Sequence, residues 1–161
     1  MTGIDELRAL RGRVGQHIYS SDWFTIDQLT VDEFAQLTGD WDRQHNDPGS
    51  ATEGPYGGTI VHGYLMLALA PVHIKASGIP VESSPSFRGV NYGIDRLRFP
   101  HHLPVGAQAR WHIDVVDYEE DTGGRIRLAL RNKVELNGVS KPAMVSDAVF
   151  MYFADEMESR E

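Results

Sequence analysis

The feature that most constrains the fold of this chain is an apolar run that directly follows a Gly/Pro-rich segment. The run is YLMLALAPVHIKASG, residues 64–78, and its first seven residues, Tyr64 to Ala70, carry no charge. A helix that has no polar side is normally enclosed by the rest of the fold. We therefore expect a buried helix over about residues 63–76, with Pro71 as a kink or a change of direction.

The C-terminal part of the chain has the pattern of an antiparallel sheet. Strand-like segments follow one another from Val90 onward, and RIRLALRNKVEL, residues 125–136, alternates apolar with basic side chains. Asn137-Gly138 predicts a tight hairpin turn. Residues 143–153 are apolar on both faces in their second half, which predicts a strand that is central or buried by a partner.

Shorter elements are predicted before the apolar run. They are a helix over 4–11, a strand over 17–26, a helix that begins at Thr30 and ends at Gly39, and an irregular loop over 40–58. The spacing of Thr30 and Glu33 is that of a capping box. The whole pattern predicts one α+β domain spanning residues 1–161, in which a curved antiparallel sheet wraps around the apolar helix.

The composition excludes several classes of function. A formal charge of −8 argues against nucleic-acid binding, which needs clustered and uncompensated basic residues. The chain has no cysteine, so disulfides and thiolate chemistry are excluded. The charged N-terminal segment is unlike a signal peptide, and no stretch is apolar for long enough to cross a bilayer. We therefore expect a cytoplasmic protein with no nucleic-acid or membrane partner.

The residues with chemical potential lie between the predicted helix end at Gly39 and the start of the apolar helix. Asp40 and His45 are close enough in a loop to hold and polarise one water molecule between them. The alternative is that Asp40 caps a turn and His45 is a surface histidine. Gly63 lies where helix N–H groups have no internal partner, so its amide can stabilise negative charge on a carbonyl oxygen. The alternative is that the glycine serves only close packing at the start of the helix. His62 is either a pocket residue or a core histidine.

The motif formed by these residues resembles that of a known family. GD-x4-H-x-D, followed by GGTIVHG and an apolar helix, is similar to the MaoC-like hydratases, the (R)-specific enoyl-CoA hydratases of hotdog fold. NYGIDRLRFPHHLPVG and KPAMV are similar to the NodN-like branch of that family. The resemblance implies a homodimer whose two sheets join edge to edge. It also implies reversible syn hydration of a trans-2-enoyl-CoA to an (R)-3-hydroxyacyl-CoA.

The resemblance also implies roles by position. Asp40 matches the general base toward water, His45 the histidine that shares this water, and Gly63 the glycine whose N–H binds the thioester oxygen. The implied reaction needs no metal or redox cofactor, because coenzyme A is part of the substrate. The chain departs from many relatives at residues 41–44, where they carry Asn-Pro, and from some at Pro71, where they carry serine.

Further candidates follow the second loop, residues 79–89, which is hypothesised to cover the acyl tunnel. Arg96 and Arg98 are candidates to bind the phosphates of coenzyme A, with solvated strand arginines as the alternative. Asn91 and Tyr92 are candidates to line the pocket. His101-His102 suggests a metal, but no third ligand is near in sequence, so a polar loop is expected there.

Two other functions remain open at this point. A hotdog acyl-CoA thioesterase would also polarise a thioester carbonyl and activate water. A non-catalytic acyl-binding protein would keep the fold without the chemistry. The length and branching of the acyl group, and the choice between coenzyme A and acyl carrier protein, depend on packing that the sequence does not reveal.

Overall fold

Five β-strands form the framework of the protein in a computed structural model, which describes residues 3–80 and 87–154. The strands are β1 (His17–Ser20), β2 (Phe87–Arg98), β3 (Ala109–Glu120), β4 (Ile126–Leu136) and β5 (Val139–Ala154). They form one sheet in the order β1-β3-β4-β5-β2, and every neighbouring pair is antiparallel. The α+β class that the sequence predicts is confirmed.

Short helices occupy the N-terminal half of the described chain. They are α1 (Gly3–Ala9), α2 (Gln28–Thr38), α3 (Arg43–Asn46), α4 (Pro48–Thr52), α5 (Gly63–Ala68) and α6 (Ala70–Ala76), with a 3-10 turn at Leu10–Arg13. None of the helices in the described ranges is long and apolar enough to span a membrane.

The strand patterns read from the sequence are confirmed. Ile126, Leu128 and Leu130 of β4 are fully buried, as their alternation with basic residues predicts. The turn between β4 and β5 is formed by Asn137-Gly138, where Gly138 has a φ of 76° that favours glycine. β5 lies between β4 and β2, so both of its edges are paired, as expected of a central strand, and residues 146–150 are buried on both faces.

The apolar run packs against this sheet as two helices rather than one. α5 ends at Ala68 and α6 begins at Ala70, with Pro71 in the first turn of α6, where a missing N–H is tolerated. Leu65, Met66 and Ile74 join the core that the sheet forms. The expectation of complete burial is wrong for the single chain, because Tyr64 and Val72 remain 67% and 64% exposed. A helix on one face of a sheet buries only the stripe that faces the sheet.

Several predicted boundaries are wrong. β1 ends at Ser20 rather than at residue 26, because the chain then leaves the sheet and returns only for an isolated bridge between Phe24 and Ala109. α2 begins at Gln28 rather than at Thr30, because the Asp27 carboxylate caps it by accepting the Thr30 N–H at 2.9 Å. The predicted end at Gly39 is confirmed by its left-handed φ of 78°.

The two loops also differ from expectation. Residues 40–58 are not irregular throughout, because Asp42 and Asp47 cap the short helices α3 and α4 with their side chains. Within the second loop, residues 87–89 already belong to β2, and residues 81–86 lie outside the described parts of the chain. The lid hypothesis therefore concerns residues that the structure does not describe.

Candidate active site

His45 lies on the short helix α3 and has one ring nitrogen occupied. Its Nδ1 is 2.6 Å from the main-chain oxygen of Ile60, and because a carbonyl only accepts hydrogen bonds, Nδ1 carries the hydrogen. The other nitrogen, Nε2, is then unprotonated in the neutral ring and can accept a hydrogen bond from water. The residue is 8% exposed and lines a cavity, so the alternative of a surface histidine is wrong.

Asp40 follows the left-handed Gly39, which turns the chain away from α2. Its side chain is 49% exposed, so the carboxylate is open to solvent and to a ligand. A carboxylate oxygen of Asp40 and ring nitrogens of His45 and His62 all lie within 4.8 Å of one another. The structure therefore brings together the carboxylate and the imidazole that the sequence pairs, and it adds a second imidazole to them.

His62 forms the base of this group. Its Nε2 is 3.0 Å from the main-chain oxygen of Asp40 and 4.0 Å from the carboxylate oxygen Oδ2 of the same residue. Its ring stacks on the ring of His45, with centroids 3.9 Å apart and 28° between the planes. At 2% exposure it is a buried histidine that lies behind the cavity surface.

A hydrogen-bonded clamp holds the His45 segment against α2. The Gln28 side-chain nitrogen donates to the main-chain oxygen of His45 at 2.7 Å and to the carboxylate of Asp32 at 2.9 Å. The Gln28 side-chain oxygen accepts from the Thr59 hydroxyl at 2.7 Å, and Asn46 donates to Asp32 at 2.7 Å. The hydrogen bonds from Gln28 and Asn46 lower the pKa of Asp32, so it stays a carboxylate acceptor.

Gly63 is the first residue of α5, and its N–H finds no acceptor within the described residues. A Cβ at this position would lie 2.9 Å from the ring of Phe99, closer than real Cβ contacts allow. A side chain at this position would therefore push the Phe99 ring aside, so the glycine allows close packing against Phe99, whatever its amide binds. Both interpretations from the sequence remain compatible with this geometry.

An open cavity of about 390 Å³ adjoins the group of Asp40, His45 and His62, and of these three residues His45 alone is among those that line it. Its wall includes His45, Tyr56, Gly63, Phe99, His101 and His102. His102 lies between two rings, 4.7 Å from Tyr56 and 4.4 Å from His101 by centroid distance. Burial, and to a lesser extent the neighbouring His101, lower the pKa of His102, which favours its neutral form. The expected polar loop at His101-His102 is thus part of an aromatic wall of the cavity.

The remaining predicted site residues lie on the edge strand β2, away from the lining of this cavity. Asn91 and Tyr92 are exposed, and Tyr92 has 69% of its surface accessible. Arg96 has a φ of 54° and lies 3.8 Å from Asp147, while Arg98 is exposed. A register shift between Asp95 and Arg98 interrupts the alternation from which we predicted that the two arginines share a face.

Sequence reasoning did not find the clamp or the aromatic wall. Gln28 and Thr59 are separated by 31 positions, and nothing local marks either as a partner of His45. His101 and His102 stood out in the sequence, but their contact with Tyr56 depends on how two distant loops fold together. Asp42, a departure from many relatives, is a helix cap whose carboxylate accepts the Gln44 N–H.

The group of Asp40, His45 and His62 is also a donor set that can hold a metal. Two imidazoles and a carboxylate are ligands that zinc and iron commonly take in proteins. Because Nε2 of His62 donates to the main-chain oxygen of Asp40, that atom would have to give up its hydrogen and this bond to act as a ligand.

The single sheet with helices α5 and α6 packed on it and a site at the start of α5 defines a hotdog-fold protein. The profile of the MaoC like domain matches residues 10–137. The chain therefore belongs to the MaoC-like dehydratase family.

Curated relatives fall in the same family. The chain is 34% identical over 154 residues to 3-hydroxyacyl-thioester dehydratase Z of Mycobacterium tuberculosis H37Rv, covering 96% of this chain and 100% of the relative. It is 36% identical over 135 residues to Nodulation protein N of Rhizobium meliloti 1021, covering 83% of each. The resemblance to the NodN-like branch is thereby confirmed.

Solved structures show the same fold. The (R)-hydratase of A. caviae involved in PHA biosynthesis superposes with a TM-score of 0.70 at 23% identity, covering 85% of this chain and 94% of that chain. The unliganded R-hydratase PhaJ1 of Pseudomonas aeruginosa superposes with a TM-score of 0.62 at 26% identity, covering 88% and 83%.

Proposed function

We propose that this protein is a hydro-lyase that reversibly hydrates trans-2-enoyl-CoA to (R)-3-hydroxyacyl-CoA. The observation that carries the proposal is the approach of the Asp40 carboxylate and the His45 imidazole to within 4.8 Å beside an open cavity. The relatives named as a 3-hydroxyacyl-thioester dehydratase and as (R)-hydratases support this class of reaction.

The reaction follows from the hydrogen-bonding capacity of the two side chains. The Asp40 carboxylate takes a proton from water. The unprotonated Nε2 of His45 meanwhile accepts a hydrogen bond from the other O–H of that water. The water oxygen bonds to C3 of the enoyl group, and the electrons of the double bond move toward the thioester oxygen. The proton held by Asp40 then passes to C2. Because Asp40 both activates the water and returns the proton, the hydroxyl group and the proton add to the same face of the double bond, which accounts for syn hydration.

Gly63 supplies the third element of the proposed mechanism. Its N–H lies at the start of α5, and a hydrogen bond from it to the thioester oxygen stabilises the negative charge that develops there. His102 and Tyr56 form an aromatic part of the cavity wall, against which the acyl group would lie.

We propose that each subunit is a single domain spanning residues 1–161 and that two subunits form a homodimer. We place this homodimer in the cytoplasm. Among the described residues β2 is a terminal strand of the sheet, which supports pairing with the same strand of a second copy. In that dimer Arg96 and Arg98 are the candidates for the phosphates of coenzyme A, and Asn91 and Tyr92 for the entrance of the pocket.

Crotonyl-CoA and purified protein provide the test of this function. Hydration removes the absorbance of the enoyl thioester without releasing free thiol. Release of thiol with the double bond intact would instead identify a thioesterase. Saturable binding of the substrate without either change would identify an acyl-binding protein, and both outcomes would overturn the proposal.

We also propose that no metal or redox cofactor takes part. Dialysis against EDTA is expected to leave the rate of crotonyl-CoA hydration unchanged, within about a factor of two. A loss of activity that zinc or iron restores would show that Asp40, His45 and His62 hold a required ion and would contradict this part of the proposal.

A further inference from the structure

His62 contacts both residues of the proposed catalytic pair without lining the cavity. Its Nε2 reaches the main-chain oxygen of Asp40 at 3.0 Å, and its ring lies 3.9 Å from that of His45 by centroid distance. At 2% exposure it has no open path to a substrate in this chain. Its contacts are therefore with the groups that do the chemistry and with the core.

The direction of the hydrogen bond determines the form of the ring. A main-chain oxygen only accepts, so Nε2 of His62 carries the hydrogen and Nδ1 does not in the neutral ring. Nδ1 is buried, and the described part of the chain offers it no hydrogen-bond partner. An unpaired buried nitrogen is unfavourable for folding. A phenylalanine would avoid this penalty, and it would fill similar space, but it would lose the N–H that holds Asp40.

The ring also holds His45 in place. The ring of His45 stacks on the ring of His62. Phe34 of α2 also contacts the His62 ring, in a tilted arrangement with a centroid distance of 5.1 Å. Among the described residues, the other hydrogen bond of Asp40 runs from its own N–H to the Thr38 hydroxyl at 3.4 Å. Asp40 otherwise follows a glycine and is half-exposed, so its position depends strongly on His62.

We propose that His62 is a positioning residue that sets the separation of the Asp40 carboxylate and the His45 imidazole. This inference rests on the proposed hydratase function of the pair. The N–H of His62 anchors Asp40 through its main chain, and the face of its ring aligns His45. A small error in the placement of reacting groups lowers the rate of the chemical step while leaving substrate binding nearly unchanged.

Two substitutions separate the two contacts. His62→Phe keeps an aromatic ring against His45 and Phe34 but removes the N–H donor. His62→Gln keeps an N–H donor of similar reach but removes the ring. His73→Phe is the matched control, because His73 is a histidine of α6 that stacks on Trp111 at 4.5 Å, outside the site.

We expect kcat for crotonyl-CoA hydration to fall roughly 10- to 100-fold in His62→Phe, with KM changed less than about threefold. His62→Gln should recover part of that loss, because it restores the donor to Asp40. His73→Phe should keep the wild-type kcat. Thermal unfolding of each variant shows whether it is folded at the assay temperature.

Three kinetic results would overturn the inference. A wild-type kcat in His62→Phe would show that the N–H is not needed. A raised KM at unchanged kcat would make His62 a substrate-binding residue. An equal loss in His73→Phe would make the effect a general consequence of repacking.

A second measurement does not depend on activity. Long-range nitrogen–proton NMR correlations of histidine-labelled wild type are expected to show the Nε2–H form of His62 and the Nδ1–H form of His45. An Nδ1–H form of His62 would exclude its bond to Asp40 and overturn the inference. If the wild type lacks hydratase activity while these forms are observed, the proposed function fails and the positioning of Asp40 stands.

Discussion

His45 can take part in water chemistry because only one of its ring nitrogens is occupied by the protein. Ile60 accepts the hydrogen on Nδ1, so in the neutral ring Nε2 keeps a lone pair that can accept a hydrogen bond. Asp40 differs from it in being half-exposed, which keeps the cost of its negative charge small. At the residue scale, the pair combines one carboxylate that can take a proton with one imidazole that orients the water.

Removal of either group is expected to abolish most of the activity. Asp40→Asn removes the proton acceptor and His45→Gln removes the imidazole, and each should lower kcat roughly 100-fold or more. Crotonyl-CoA hydration measures the loss, and circular dichroism with thermal unfolding measures the fold. Wild-type rates in both variants would show that the chemistry lies elsewhere.

Gly63 offers a test that separates packing from chemistry. Gly63→Ala places a methyl group against Phe99, and overpacking of this kind is expected to lower stability by about 1–3 kcal/mol. Phe99→Leu in the same chain should relieve the contact and restore the melting temperature. Alanine keeps the N–H of residue 63, so the double variant tests whether a Cβ there hinders the approach of a ligand to that N–H. A kcat that stays low in the folded double variant but not in Phe99→Leu alone is what the proposed amide contact predicts, and recovery of the wild-type kcat would show that a Cβ does not hinder it.

At the scale of elements, the site depends on segments that do not resemble a site in the sequence. The spacing of Thr30 and Glu33 predicted a helix in the right place, but the cap is Asp27, and the start of α2 is two residues earlier. Those two residues matter, because Gln28 is the first residue of α2 and clamps the His45 segment. A helix start is decided by which side chain reaches the free N–H groups, which is a matter of local geometry.

The N-terminal helix α1 is attached to the rest of the fold by the fully buried Leu7 and by an ion pair with the sheet. Glu120 at the end of β3 accepts hydrogen bonds from Arg8 at 2.9 Å and Arg11 at 3.0 Å. The hydrogen bond from Arg8 is the main cause of the lowered pKa of Glu120. This contribution to stability is therefore complete above the ordinary pKa of 4.5 and is lost as the pH falls below it.

Glu120→Gln is expected to lower the melting temperature by about 1–3 °C at neutral pH. The difference from wild type should shrink as the pH falls below the ordinary carboxyl pKa of 4.5 and disappear below the lowered pKa of Glu120 in the folded protein, where the wild-type carboxylate is protonated. Differential scanning calorimetry at a series of pH values measures both. A difference that persists unchanged in acid would show that the ion pair is not its source.

At the scale of the whole molecule, β2 is the longer of the two terminal strands of the sheet, with 12 residues against four in β1. It carries exposed apolar side chains at Val90, Tyr92 and Ile94, which are 46%, 69% and 45% accessible in the single chain. A terminal strand with such side chains is a surface that pairs readily with another strand. The exposed Tyr64 and Val72 of the central helices show that the single chain leaves apolar surface uncovered elsewhere too.

The proposed dimer predicts how this edge responds to charge. Wild-type protein is expected to sediment as a dimer, and Val90→Lys with Ile94→Lys should shift it to monomer by placing like charges across the two-fold axis. Leu37→Lys, at a residue of α2 that is 84% exposed, is the control and should remain a dimer. A wild-type monomer in analytical ultracentrifugation would contradict the edge-to-edge assembly.

The sequence by itself determined the layers of this protein and the location of its candidate site. Apolar periodicity and turn residues predicted β3, β4 and the hairpin at Asn137-Gly138, because these depend on the pattern of near neighbours along the chain. The motif between Gly39 and Gly63 predicted that the Asp40 carboxylate and the His45 imidazole lie together, and the structure places them within 4.8 Å. That the Gly63 amide acts on the same ligand stays a prediction.

Tertiary structure decided how these groups are held and what surrounds them. The stack of His62 on His45, the clamp from Gln28 to Thr59 and the aromatic wall at His102 join residues that are distant in sequence. Such contacts depend on how helices and loops pack in three dimensions, and a periodic pattern contains no information on that packing. The same reason explains why the apolar run buries one stripe, because the sheet covers a single face of α5 and α6. The change of direction between the two helices was predicted from Pro71.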